Sequence, residues 1–180
     1  MNKQHALLGF FAGTSLFLAF LYIYSDTPRA DVTTEPITVS AEDQKPVEAE
    51  ISFKVLDEGA LAPGAKSRKN YAIYTQEEMK DFWKIAHGTD EKKMPVVDFK
   101  SHYVIVVFAG IKPTTGYAIA VAHIKESGTA RNVDVVISVP GDNCQNAQTT
   151  TSPYQFVEVP YGNGASLSHT DTKVEVACKK

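Results

Sequence analysis

The sequence lacks the short motifs that mark common catalytic and nucleotide-binding sites. It contains neither the GxSxG pattern of serine hydrolases nor the glycine-rich patterns that hold phosphates. Convincingly paired carboxylates are also missing, and the formal net charge of -3 gives no basic surface for nucleic acid. We therefore predict no catalytic residues, no cofactor and no nucleic-acid partner, and we expect a binding protein rather than an enzyme.

Histidine is present without the spacing of a metal site. The five histidines are His5, His87, His102, His123 and His169. None follows another at two to five residues, which is the spacing common among zinc ligands. His102 and His123 fall on strands predicted to be neighbours, where sheet histidines are the expected interpretation. No metal site is predicted.

One long apolar run lies near the N-terminus. Residues 6–24 contain no charged side chain, and a helix of that length spans roughly 28 Å, close to the thickness of a bilayer core. Lys3 precedes the run and Asp26 follows it, which favours a cytoplasmic N-terminus and export of the rest. Residues 1–25 are thus predicted to be a single-pass transmembrane anchor that places the C-terminal domain in the periplasm or extracellular space.

A cleaved signal peptide is the alternative for the same segment. Signal peptides usually have a shorter apolar core and end in small residues, whereas this run ends in Leu-Tyr-Ile-Tyr. Cleavage would release a secreted protein instead of a tethered one. Both interpretations export the domain.

The next segment has the composition of a linker. Residues 26–49 carry six acidic and two basic side chains, contain three prolines and show no apolar period. Residues 50–180 are balanced, with 15 basic and 15 acidic side chains. The folded domain is therefore predicted to occupy residues 50–180.

Cysteine is scarce, and the two that occur lie in the exported part. Cys144 and Cys178 are 34 residues apart, and disulfides persist outside the cytoplasm. We predict a bridge between them, with two free thiols as the alternative that spacing alone does not exclude.

Apolar periodicity in residues 50–180 predicts a mostly β, α+β fold. Strands are expected at 51–55, 71–74, 103–109, 117–121, 133–139, 155–159 and 173–178. Thr75 and Glu78 have capping-box spacing, and Met79, Phe82 and Trp83 follow with helical period before Gly88. The expected architecture is an antiparallel sandwich or curved sheet with one capped helix.

The segment 110–117 is the candidate binding loop. It joins two apolar strands, Pro113 fixes one φ, and Gly116 permits a positive φ. Shaped polar loops on rigid scaffolds often carry binding functions. The predicted contact residues are Lys112, Thr114, Thr115, Gly116 and Tyr117. A purely structural turn is the alternative, with its threonines bonded to the local backbone and its tyrosine in the core.

A second segment, residues 150–160, has similar character. Ser152 precedes a proline and is expected to be extended, and Pro160 suits the end of an edge strand. We predict an edge strand here, entered by a rigid turn.

These pieces, taken in order, resemble the PrcB C-terminal domain family, small domains of exported bacterial proteins. The resemblance covers most of residues 51–176 and rests on the helix ending at Phe82-Trp83 and on residues 97–99, 110–117, 152–154 and 157–160. The family's loop usually has a proline, one or two small residues and then Gly-Tyr, as at residues 113–117. Because the family is named for a protein that associates with a secreted serine-type protease, the resemblance implies a protease-associated accessory role.

The loop alone also resembles the inhibitory loop of chagasin-type cysteine-protease inhibitors. Those proteins present a threonine-rich loop to the protease cleft, as residues 113–117 would, but here Lys112 stands where they usually have asparagine. Their Arg-Pro-Trp loop has no clear counterpart. The sequence thus predicts a membrane-tethered protein-binding module, with a protease as the partner that the resemblance implies. The alternatives are a cysteine-protease inhibitor and an envelope domain for small molecules or glycans.

Overall fold

A computed structural model describes residues 48–89, 92–162 and 166–178. The elements in chain order are β1 (Ala49–Glu50), β2 (Lys54–Gly59), β3 (Lys69–Ile73), α1 (Gln76–His87), β4 (His102–Phe108), β5 (Ala118–Ser127), β6 (Ala130–Pro140), β7 (Tyr154–Pro160) and β8 (Ser166–Val176). The predicted anchor and the predicted linker up to residue 47 lie outside these residues. Within the described ranges, no helix is both long and apolar enough to cross a membrane.

The strands form two four-stranded sheets. The middle sheet has the order β2-β7-β4-β3, and the outer sheet has the order β1-β5-β6-β8. The mostly β, α+β class with one helix is therefore confirmed. Strand β4 (Tyr-Val-Ile-Val-Val-Phe after His102) is buried on both faces, as its unbroken apolar run predicts.

The core consists of two layers of apolar side chains. One lies between helix α1 and the middle sheet, and the other lies between the middle sheet and the outer sheet. On one face of the middle sheet, Val104, Val106 and Phe156 pack with Met79 and Trp83 of α1. On the other face, alternate residues of the same strands pack against the outer sheet. The period-two alternation of β4 thus divides its side chains between both layers, as expected for a central strand.

Helix α1 begins and ends where the sequence places it. Thr75 is the N-cap, and its hydroxyl accepts a hydrogen bond from the Glu78 N–H at 3.1 Å. The Glu78 carboxylate accepts from the Tyr74 N–H at 2.8 Å, one residue before the usual capping-box partner. At the other end, Gly88 has φ 62° and its N–H bonds the Lys84 carbonyl.

One pairing departs from the predicted antiparallel arrangement. Strand β8 runs parallel to β6 over eleven residue pairs, from Ala130 with Ser166 to Pro140 with Val176. The chain crosses from the middle sheet to the outer sheet after β7, so β8 enters beside the start of β6 instead of turning back on it. Hydrophobic period does not encode strand direction, and the prediction was wrong here.

The predicted strand at 51–55 is interrupted. The Ile51 N–H bonds the Ile124 carbonyl of the outer sheet at 2.8 Å, but from Lys54 onward the chain pairs with β7 of the middle sheet. A register shift after Val55 leaves that residue 46% exposed and buries Asp57. The alternating residues therefore form a crossing between sheets rather than one strand.

The prediction of an edge strand at residues 150–160 was also wrong. Strand β7 lies between β2 and β4 and is buried from Tyr154 to Val157. Pro160 is tolerated because it occupies the last position of the strand, opposite His102.

Candidate functional site

Residues 111–117 of the candidate binding loop, which we name the contact loop, are held by a second loop, residues 141–151. Lys112 and Thr151 exchange two backbone hydrogen bonds, at 2.8 and 3.0 Å. The Thr151 hydroxyl donates to the Thr114 carbonyl at 2.9 Å. Thr115 donates its N–H to the Ala147 carbonyl and accepts the Ala147 N–H on its hydroxyl, both at 3.1 Å. These contacts fix the loop along its length.

Gly116 closes the loop in a conformation that other residues rarely adopt. Its φ is 92°, and a methyl group at this position would lie 2.7 Å from the Asn146 side-chain oxygen. Beyond it, the Tyr117 ring is half-buried and lies 5.8 Å from the Lys112 ammonium group, within cation–π range. The two ends of the loop are thereby brought together.

The second loop is anchored in turn by the disulfide. Cys144 and Cys178 are bonded, which confirms the predicted bridge and ties residues 141–151 to the end of β8. The Gly141 N–H bonds the Val176 carbonyl at 3.2 Å beside it. The disulfide and this hydrogen bond therefore attach the second loop to the end of β8, and the second loop in turn holds residues 112–115.

A groove of about 500 Å³ opens between Tyr117 and the disulfide. Its walls combine apolar, hydroxyl and amide side chains: Tyr117, Pro140, Val176, Ser138, Gln145 and Asn146. Gln145 is exposed, as is Pro113 of the loop, while Lys112 is half-buried. The surface offers hydrogen-bonding groups and a shaped apolar floor, which suits recognition of another molecule.

All five predicted contact residues belong to this one surface, but their exposure differs. Lys112, Thr114, Thr115 and Tyr117 are half-buried, and Gly116 is exposed. Tyr117 does not fill the core, and Thr115 bonds the second loop rather than its own turn, so two details of the structural-turn alternative differ from the structure. Their role as contacts stays a prediction.

Sequence reasoning missed the second loop. Residues 141–151 have no apolar period, and their function as a support depends on long-range bonds to residues 112–115. The cysteine at 144 is the one signal that could have placed them near the C-terminus of the domain.

The two sheet histidines lie in different sheets, so the predicted neighbourhood of His102 and His123 was wrong. His102 lies in the middle sheet, 4.0 Å from Glu158, and His123 lies in the outer sheet, 2.7 Å from Glu50. Over the described ranges, no group of three histidine, cysteine, aspartate or glutamate side chains is arranged to hold a metal ion.

A buried polar cluster joins α1 to the middle sheet. Asp57 is 8% exposed, and its carboxylate accepts a hydrogen bond from the Tyr154 hydroxyl at 3.1 Å. The His87 Nε2 atom lies 2.8 Å from the same carboxylate, and the Lys92 ammonium group also contacts it. The Trp83 ring packs against the His87 ring at a tilt of 41°, with centroids 4.4 Å apart. Because a buried carboxylate needs such partners, this cluster fixes the end of the helix against β2 and β7.

A second cluster surrounds Arg131, which is 3% exposed. Its guanidinium donates to Glu126, to the Tyr103 hydroxyl at 3.0 Å and to the Pro160 carbonyl at 2.8 Å. Burial raises the pKa of Tyr103, and the hydrogen bond and charge of Arg131 only partly oppose this. The cluster lies on strands at the opposite end of β6 from the groove and connects the two sheets.

The molecule is thus a three-layered, β-rich domain that displays a supported loop beside a groove. Residues 103–160 match the family model described as PrcB C-terminal. The predicted family resemblance is confirmed over that segment, which runs from β4 to β7 and includes both loops; helix α1 and strand β8 lie outside it. No curated protein and no solved structure matches the chain.

Proposed function

We propose that this chain is a membrane-tethered, extracytoplasmic protein-binding module that serves as an accessory domain of a protease complex. Residues 6–24 provide the anchor, the acidic linker gives reach, and the loop 111–117 makes the contact. The domain acts by surface recognition and not by catalysis.

The immobilised loop is the observation that carries this proposal. A loop that is already fixed loses little conformational entropy when a partner binds, so more of the contact energy appears as affinity. The reciprocal bonds between Lys112 and Thr151, and between Thr115 and Ala147, provide that preorganisation.

The family match supports the class of partner. The matched segment, residues 103–160, contains the loop, its support and most of the groove. The family name refers to a protease-associated protein, so a protease or a subunit of its complex is the proposed partner.

The binding role is tested by affinity capture from the native envelope with the full chain. Lys112→Glu reverses the one charge of the loop, and Lys80→Glu makes the same change on the exposed face of α1. We expect Lys112→Glu to lower recovery of the partner about tenfold, equivalent to about 1.4 kcal/mol, and Lys80→Glu to leave it unchanged. Equal recovery with both variants would refute the loop as the contact.

Substitution of Thr114 and of Thr115 distinguishes a side chain that contacts the partner from one that supports the loop. The Thr114 side chain is not needed for the bond from Thr151, which uses the backbone carbonyl, whereas the Thr115 hydroxyl bonds the second loop. We expect Thr114→Ala to weaken capture without changing thermal stability, and Thr115→Ala to lower both.

The tether is tested by fractionation of a C-terminally tagged full chain. Retention in the membrane fraction after a high-salt wash is expected for an anchor. Appearance of the tagged protein in the soluble exported pool would show that the segment is cleaved.

The groove favours a second function, the binding of a small molecule or glycan. Its volume of about 500 Å³ falls within the usual range of ligand sites. Ser138→Trp would fill the groove at a position distant in sequence from the contact loop. Loss of ligand binding with unchanged protein capture would support this alternative, and loss of neither would exclude it.

A further inference from the structure

Strand β8 is a long edge strand without a second neighbour in the described part of the chain. It pairs with β6 through all eleven of its residues, without a register shift, and it ends the outer sheet. Ten of these residues are exposed and the last is half-buried. One whole row of backbone N–H and C=O groups therefore remains available for a further strand.

The strand lacks proline, a bulge and short length, but it carries charged side chains, which are another device that can block pairing. Proteins protect long edges with proline, bulges, short strands or charges that repel an incoming strand. β8 contains no proline and no bulge. Its charged side chains instead alternate in sign.

The charged side chains of β8 share one face of the strand with His169. This face lies beside the row of β6 side chains that faces the core. The pairs, in order, are His169, Asp171, Lys173 and Glu175 with Val133, Val135, Ile137 and Val139. Asp171 also binds Arg68 of the segment preceding β3, at 2.5 and 2.9 Å. A carboxylate has about four acceptor positions, so this pair leaves room for another donor.

The order of the charges makes the strand complementary to itself. If a second β8 lies antiparallel with Thr172 opposite Thr172, then Lys173 faces Asp171, and this oppositely charged pair occurs twice by symmetry. Glu175 faces His169, whose ring N–H can donate a hydrogen bond to the carboxylate. Directly opposed residues of opposite charge stabilise antiparallel strands, and like charges destabilise them.

Neighbouring registers lose this complementarity. Centring the pair on Asp171 places two carboxylates opposite each other. Centring it on Lys173 opposes two lysines and sets Asp171 against Glu175. On the other face of the strand, the Thr172 register sets Thr170 opposite Val174, a β-branched pair of the kind favoured in sheets.

We propose that β8 is a dimerisation edge, through which two copies of this chain join antiparallel about Thr172 and merge their outer sheets. A two-fold axis at Thr172 gives an isologous interface, the commonest arrangement in homodimers. The contact loop 111–117 is not part of this edge, so a dimer presents two binding loops to its partners.

Cysteine cross-linking in the full chain tests the register directly. Opposed residues in an antiparallel pair have Cα atoms about 4.5–5.5 Å apart, within the range that a disulfide spans. Thr172→Cys should therefore form a cross-linked dimer on mild oxidation. Thr170→Cys is the matched control, since two copies of residue 170 would lie about 14 Å apart along the strands.

A mixture of chains gives the complementary result. Thr170→Cys and Val174→Cys should each stay monomeric on a non-reducing gel, but together they should form a mixed dimer. Peptide mapping confirms that Cys144 and Cys178 remain bonded to each other. Dimers held by another part of the chain would not distinguish residue 172 from residue 170.

Charge reversal tests the cause of the pairing. Lys173→Glu in the Thr172→Cys background sets a carboxylate against Asp171 and should reduce cross-linking at least tenfold. Lys80→Glu in the same background should leave it unchanged. Equal cross-linking at residues 170 and 172, no cross-linking at residue 172, or insensitivity to Lys173→Glu would each overturn the proposal.

Discussion

At the scale of single residues, the shape of the contact loop depends on Gly116. Its φ of 92° lies in the region where side chains are strained, and the Asn146 side chain occupies the space that a methyl group would need. Gly116 therefore sets the backbone shape of the contact loop and also contacts the second loop that supports it. Gly128 has a similar backbone, with φ 59°, but open space around it.

This contrast gives a matched pair of substitutions. Gly116→Ala should lower the free energy of unfolding by about 1–3 kcal/mol, because both the backbone and the contact with Asn146 are strained. Gly128→Ala should cost less, since only the backbone is affected. Chemical denaturation measures both variants, and an equal loss in both would show that the Asn146 contact is unimportant.

Tyr103 is the second residue whose surroundings set a measurable property. Burial raises its pKa above 10.0, and Arg131 opposes that shift only in part. A raised pKa in the folded state contributes stability that is complete below the pKa of the unfolded chain and is lost as pH rises through the folded value.

We expect Tyr103 to ionise late in an alkaline titration followed by tyrosinate absorbance. Tyr103→Phe should reduce the late component of the curve. In denaturant, the late component should vanish, because tyrosines in an unfolded chain ionise near about pH 10. A late component of unchanged amplitude in Tyr103→Phe would contradict the assignment.

At the scale of elements, the end of helix α1 is attached to the middle sheet through a charge. Asp57 lies in β2, His87 ends α1 and Tyr154 begins β7, so three elements meet at one buried carboxylate. The register shift after Val55 is what turns Asp57 inward. The irregular pairing of β2 is thus what allows Asp57 to contact α1 and β7.

Replacing this carboxylate should loosen the helix. Asp57→Asn keeps the shape but removes the charge that His87 and Lys92 face, and we expect a loss of about 2–4 kcal/mol in the free energy of unfolding. Asp81→Asn, on the exposed face of α1, is the control and should change stability little. Hydrogen exchange should show faster opening of the last turn of α1 in the first variant alone.

Element positions were predicted better than element partners. The helix limits follow from Thr75 and Gly88, and strand β4 follows from its apolar run, because caps and periods are local properties. The direction of β8, the central place of β7 and the crossing at residues 51–53 depend on contacts distant in sequence. Periodicity carries no information on those contacts.

At the scale of the whole molecule, the disulfide joins the last strand to the support of the contact loop. Cys144 and Cys178 enclose β7 and β8 in one covalent loop of sequence separation 34. Such a link limits the unfolded chain and also holds residues 141–151 against the outer sheet.

Removing the bridge should therefore have a global and a local effect. The chain-entropy estimate for Cys144→Ser with Cys178→Ser is a loss of about 3–4 kcal/mol. Partner capture should weaken as well, since the support of the loop 111–117 becomes mobile. Thermal unfolding with and without reductant measures the first effect; an unchanged midpoint would show that the fold does not depend on the bridge.

By itself, the sequence determined the β-rich class, the capped helix, the pair of cysteines and the position of the loop. Each of these depends on local period, turn residues or residue type. Only the tertiary structure decided that residues 141–151 support that loop, that a groove opens beside it, and that β8 ends a sheet with its charges on one face. Those features arise from bonds between residues far apart in sequence, such as Thr115 with Ala147, 32 positions apart, and Arg68 with Asp171, 103 positions apart. Packing of the whole chain selects such bonds, and no short stretch of sequence specifies them.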